Sequence, residues 1–168
     1  MKIKASLISL LAAVLMLFSG CTVTGPKNIY LLGKALREAD ESFFPDDDAA
    51  FCRGSEYWFC YSFSGEDDTV LKLRLDRFGG IERATVCMRR VPEPDLAVFE
   101  RLCTAAADFL LAPGEASEAA DKTGLCRIEL YFTETSSECA FDDGGAMFLS
   151  TPYSVSFTVS AVRQENRG

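Results

Sequence analysis

An antiparallel α+β domain is predicted from three observations. Two stretches carry apolar residues at helical spacing, five or six short segments carry them at strand period, and the links between strands are short enough to force hairpins. The expected order is helix, three strands, helix, two or three strands. That gives a sheet of five or six strands with two helices packed on one face. The chain has 168 residues, 48% of them apolar and 25% charged, the balance of one globular domain and not of a disordered or fibrous chain. The domain is expected over residues 28–163, with residues 1–20 and 21–27 before it and 164–168 as a tail.

The first helix is expected from Asn28, a good cap residue, to Phe44. Ile29, Leu32, Leu36, Ala39 and Phe43 share one face, and Lys34/Glu38 and Arg37/Glu41 are spaced as ion pairs. Pro45 stops it. Gly33 lies inside and suggests a close contact between helix and sheet. Three strands follow at 56–63, 69–76 and 81–89, and Gly79-Gly80 is a strong hairpin signal between the last two. Leu71, Leu73 and Leu75 face one way and Val70, Lys72 and Arg74 the other, the alternation of a sheet covered on a single side.

The second helix places Leu96, Phe99, Cys103, Ala106 and Leu110 on one stripe and ends before Pro113-Gly114. Residues 114–123 are small and polar and read as a loop. A strand is expected over 125–133, pointing Cys126, Ile128, Leu130 and Phe132 inward. A short strand over 146–150 and a last strand over 153–161 follow, the latter with Tyr153, Val155, Phe157, Val159 and Ala161 inward. Thr151-Pro152 between them is a turn or a bulge. The order suggests two degenerate αβββ units, without residue identity between the halves.

Ahead of the domain, Lys2 and Lys4 precede an uncharged run from Ala5 to Ser19, then Gly20 and Cys21. The run is short for a membrane span and has the regions of an export signal. The closing residues Leu17-Phe18-Ser19-Gly20-Cys21 resemble the lipobox of bacterial lipoprotein precursors, although Phe18 stands where Leu is commonest. The resemblance covers residues 1–21 only. It implies cleavage before Cys21, diacylglycerol on the Cys21 thiol, and a domain held outside the cytoplasm at the cell membrane or the outer membrane. Loss of Lys2 and Lys4 takes the formal charge from −8 to −10. Such acidity argues against nucleic acid and anionic lipid as partners. The partner classes left are the membrane, through the lipid, and an envelope protein or glycan.

With Cys21 assigned to lipid, Cys52, Cys60, Cys87, Cys103, Cys126 and Cys139 remain, an even number that suggests three disulfides in an exported chain. Facing suggests the pairs Cys103 with Cys126, Cys60 with Cys87, and Cys52 with Cys139. No C-x-x-C motif is present to indicate a zinc ribbon or a dithiol redox centre.

The chain contains no histidine, which removes the Ser-His-Asp and Cys-His nucleophile systems and every His-ligated metal site. No cofactor or metal site and no catalytic residue is read from the sequence. Asp46–Asp48, Glu66–Asp68 and Asp142-Asp143 lack the alternating ligands of a calcium loop and read as solvated turns. Five aromatics crowd residues 57–63. Trp58 falls on the outward face with Cys60, where it is either covered by a disulfide or exposed as the candidate recognition residue for a sugar, peptide or protein. A binding or assembly module is therefore the expected role. The alternative is a hydrolase of extracellular polymers working through carboxylates such as Asp76, Glu129 and Glu134 near strand ends.

Overall fold

The computed structural model describes residues 29–39, 51–52, 58–62 and 69–161. Helix α1 spans Ile29–Ala39, and strands β1 (Phe51–Cys52), β2 (Trp58–Ser62), β3 (Thr69–Leu75) and β4 (Ile81–Arg89) follow. Helices α2 (Leu96–Leu110) and α3 (Glu115–Thr123) lead to β5 (Thr135–Phe141), β6 (Gly144–Thr151) and β7 (Ser154–Ala161). The fold is α+β, as the periodicity predicts. One antiparallel sheet runs in the order β1-β2-β3-β4-β7-β6-β5. It is two meanders set back to back, joined where β4 pairs with β7.

The strands alternate, and that alternation decides the layers. Leu71 and Leu73 of β3, Ala84, Val86 and Met88 of β4, and Val155, Phe157 and Val159 of β7 are all buried. Against them lies the stripe of α2, Phe99, Leu102, Cys103, Ala106 and Leu110. Burying each of the valines, leucines, phenylalanines and the methionine among them contributes roughly 1.5–3 kcal/mol. Helix α2 packs on β4 and β7, α1 on α2, and α3 on β5 and β6. All three helices therefore cover the same face.

Helix α2 begins where the Asp95 carboxylate accepts the Val98 N–H at 3.0 Å, satisfying one of the donors that a first turn leaves unpaired. The expected loop over 114–123 is instead helix α3. Its buried stripe is Ala116, Ala119 and Thr123, residues too small to raise a hydropathy signal but at helical spacing. Glu118 and Lys122 pair at 2.6 Å along it, and Gly124 ends it with φ +77°.

The strand expected over 125–133 does not form. Cys126 and Phe132 take left-handed backbone angles, φ 70° and 57°, which a strand cannot contain. Between them Ile128–Leu130 is a single 3₁₀ turn. Cys126 and Ile128, expected inward, are exposed, and Leu125 and Tyr131 carry the burial. The edge strand is β5, whose sequence TSSECAF is too polar to suggest one. Its inner face rests on α3, where the Ser137 hydroxyl donates to the Thr123 carbonyl oxygen. Thr151-Pro152 belongs to a tight hairpin, since Thr151 pairs with Ser154. Tyr153, expected inward, is exposed in that turn.

Glycines separate into two kinds. A Cβ on Gly144 would sit 2.6 Å from the Ser160 carbonyl oxygen and 2.8 Å from Leu111 Cδ2, so backbone there approaches too closely for any side chain. Gly33, expected at a close contact, has nothing within 4 Å of such an atom. The Gly33→Ala variant should therefore gain about 0.5–1 kcal/mol in urea unfolding, since alanine favours the helix. Gly144→Ala should lose about 1–3 kcal/mol in the same measurement.

Candidate functional site

Because the helices share one face, the other face of the sheet is open among the described residues. Its side chains form rows fixed by register. One row runs Lys72, Thr85, Thr158, Met147, Glu138 across β3, β4, β7, β6 and β5. The next runs Arg74, Arg83, Ser160, Gly145, Ala140, and Trp58 of β2 stands opposite Arg74 at its end. For Trp58, the recognition residue expected from the sequence, the structure gives the backbone register opposite Arg74. A depression of about 690 Å³ lies between these rows, lined by Lys72, Arg83, Thr85, Thr158 and Ser160 and walled by Glu138 and Met147.

The face is polar and locally cationic. Thr85 and Thr158 share a hydroxyl hydrogen bond of 3.0 Å at its centre. Arg74 pairs with Glu82 at 3.4 Å, whereas Lys72 and Arg83 have no carboxylate within ion-pair distance among the described residues. Acidity belongs to the chain as a whole and not to this surface. Cys87 stands on the same face, half-buried. Burial pushes its thiol up, and the charges of Lys72 and Arg89 oppose that push. The face is not the broad apolar patch of many docking surfaces: Met147 and Leu149 of β6 are its exposed large apolar side chains among the described residues.

The carboxylates considered for hydrolysis do not converge. Asp76 follows β3 in the β3–β4 turn, where its Oδ1 accepts the Phe78 and Gly80 N–H groups at 2.6 and 2.9 Å. Glu134 precedes Thr135, which lies in register with Ser150 and Val155 at the opposite end of the sheet. Glu129 is exposed in the 3₁₀ turn. A glycosidase pair stands about 5–9.5 Å apart, and this arrangement supplies none from these three. Asp142-Asp143 forms the exposed β5–β6 turn. Cys21, Asp46–Asp48 and Glu66–Asp68 lie outside the described residues.

The cysteines are placed by topology. Strand β3 separates Cys60 from Cys87, two strand spacings or roughly 10 Å. Cys52 and Cys139 occupy opposite edges of the sheet, six spacings or roughly 29 Å apart. A disulfide needs Cα atoms within about 7 Å, so neither expected pair fits this sheet. Cys87, Cys103, Cys126 and Cys139 stand as free thiols. Cys103 is buried on α2 as its stripe predicts, and Cys126 is exposed in the loop after α3.

A second polar cluster lies at that loop, unseen in the sequence because it joins residues far apart along the chain. The Tyr131 hydroxyl donates to Glu100 Oε1 at 3.2 Å and accepts the Cys126 N–H at 3.2 Å. Its ring packs edge-on against Phe99, centroids 5.8 Å apart, and tilted against Phe148 at 5.5 Å. Burial holds the phenol well above its ordinary range, so it remains a donor.

This fold and this open face define a sheet covered by helices on one side, with a cation-and-hydroxyl surface on the other. No protein-family model, curated protein or solved structure matches the chain. The cluster itself is testable: Tyr131→Phe removes the acceptor of the Cys126 N–H and should lower unfolding stability by about 1–2 kcal/mol in a urea titration.

Proposed function

We propose that this chain is an exported bacterial lipoprotein, anchored through diacylglycerol on Cys21, whose domain is a binding module for an acidic saccharide. The anchoring half of the reading rests on the charged, apolar and small-residue regions of residues 1–21. Two or more acyl chains hold a protein at a membrane durably, at about 0.8 kcal/mol per buried CH₂. The seven residues from Cys21 to Lys27 reach at most about 25 Å, so the domain works beside the bilayer.

The binding half rests on one observation above the others: Lys72 and Arg83, without carboxylate partners among the described residues, line a depression in a strongly acidic chain. Unpaired cations attract an anionic ligand. Thr85, Thr158 and Ser160 beside them offer hydroxyls that both donate and accept. Glu138 across the depression accepts from ligand hydroxyls, and Met147 gives an apolar contact for a sugar ring. A ligand with carboxylates and many hydroxyls matches that set. Trp58, in backbone register with Arg74, is a further candidate contact.

Two measurements test the reading. Replacement Cys21→Ser should leave an unprocessed, unlipidated precursor, seen by intact mass; a product of mature size in the membrane fraction would refute the anchor. By calorimetry the domain should bind trigalacturonate and ignore a neutral trisaccharide. Arg83→Glu should weaken that binding about ten-fold or more. Equal binding of the neutral sugar, or an unchanged Arg83→Glu, would refute the ligand class.

A further inference from the structure

Charge is spread unevenly along the chain. From Thr22 to Arg37 it carries Lys27, Lys34 and Arg37 and no acidic residue, whereas all 25 acidic residues lie from Glu38 onward. The acidity that argues against anionic lipid is thus a sum over the later chain, and the segment next to Cys21 has the opposite sign. Helix α1 turns part of this segment into a face. Leu32 and Leu36 are buried as α1 packs on α2, and the exposed positions are Tyr30, Leu31, Lys34, Arg37 and Glu38. Tyr30, Lys34 and Arg37 stand at i, i+4 and i+7 and share one stripe. Tyr30 is 78% exposed, an unusual place for so large a ring. Lys34 pairs with Glu38 at 3.7 Å, an exposed ion pair that holds the ammonium only weakly. A tyrosine and a leucine among cations are the side chains of a membrane–water interface, where the phenol lies at headgroup level and the cations meet lipid phosphates.

Chain length supplies the partner. Ile29 is eight residues after Cys21, at most about 29 Å when extended, so the first turn of α1 is the described element nearest along the chain to the acylated residue. A tether this short makes contact with the bilayer intramolecular, and a modest affinity is then enough. We propose that the outward face of α1, through Tyr30, Leu31, Lys34 and Arg37, lies on the anionic phospholipid bilayer that holds the anchor and orients the domain there. This rests on the lipid-anchor half of the reading above. Because α1 belongs to the helical layer, the contact leaves the depression around Lys72 and Arg83 across the sheet from it.

The native lipidated chain tests this on two kinds of vesicle, phosphatidylcholine alone and phosphatidylcholine mixed with phosphatidylglycerol. A water-soluble acetylating reagent is added, and the modification of each lysine is followed by peptide mass. On the mixed vesicles Lys34 should react about five-fold more slowly than on phosphatidylcholine alone, while Lys72 on the open face reacts at one rate on both. Tyr30→Glu, a change at an exposed helix position, should return Lys34 on the mixed vesicles to the faster rate. One Lys34 rate on both vesicles, equal slowing at Lys72, or undiminished protection in Tyr30→Glu would overturn the proposal. Intact mass of the same sample separates the two failures. A lipidated chain with unprotected Lys34 refutes the contact alone, and a chain without diacylglycerol on Cys21 refutes the anchor and the contact with it.

Discussion

The whole architecture depends on one constraint: a single sheet face is apolar and has to be covered. On β3, β4, β6 and β7 buried residues alternate with more exposed ones, broken only near the irregularity at Arg74/Leu75 and Glu82/Arg83 and at the end of β7. Phe99 of α2 and Phe148 and Phe157 of the sheet fill the space between layers with almost no exposure. Once α2 is seated over β4 and β7, the flanking helices have only one side on which to dock. No described element packs on the other side, and its chemistry is free of the packing demands of the helical layer. That is why cations and hydroxyls are found there.

The elements that carry large apolar residues were legible in the sequence. Strand β4 and helix α2 fall at the residues where periodicity places them, because Val86, Met88, Phe99 and Leu102 each bury enough surface to dominate local preference. The segments that misled are those where size and burial part company. Helix α3 buries alanines, which pack well under a sheet yet weigh little on any hydropathy scale. The stretch after it alternates Cys126, Ile128, Leu130 and Phe132 convincingly, but left-handed backbone at both ends of that run turns the chain away from the sheet. Strand β5 is amphipathic only weakly because an edge strand under a short helix needs little apolar surface.

The candidate site was half legible. The alternation of Lys72 and Arg74 with leucines shows that an open, basic strand face exists. Their assembly with Thr158, Ser160 and Glu138 depends on the pairing of β4 with β7, which no local pattern announces. The cysteines illustrate the same limit. Facing alone suggests three pairs, and only the order of strands reveals that two of them are separated by the sheet itself.

The seam between β4 and β7 has one more consequence. Every other neighbouring pair of strands in the described sheet is consecutive along the chain, and this one joins residues such as Thr85 and Thr158, 73 positions apart. Loop closure of that length carries an entropic cost that short hairpins avoid. Lys72, Arg83 and Thr85 belong to the first meander, and Thr158, Ser160, Met147 and Glu138 to the second. The groove is accordingly a property of their union: neither half owns it, and any change that loosens the central zipper takes the groove apart before it unravels either hairpin stack.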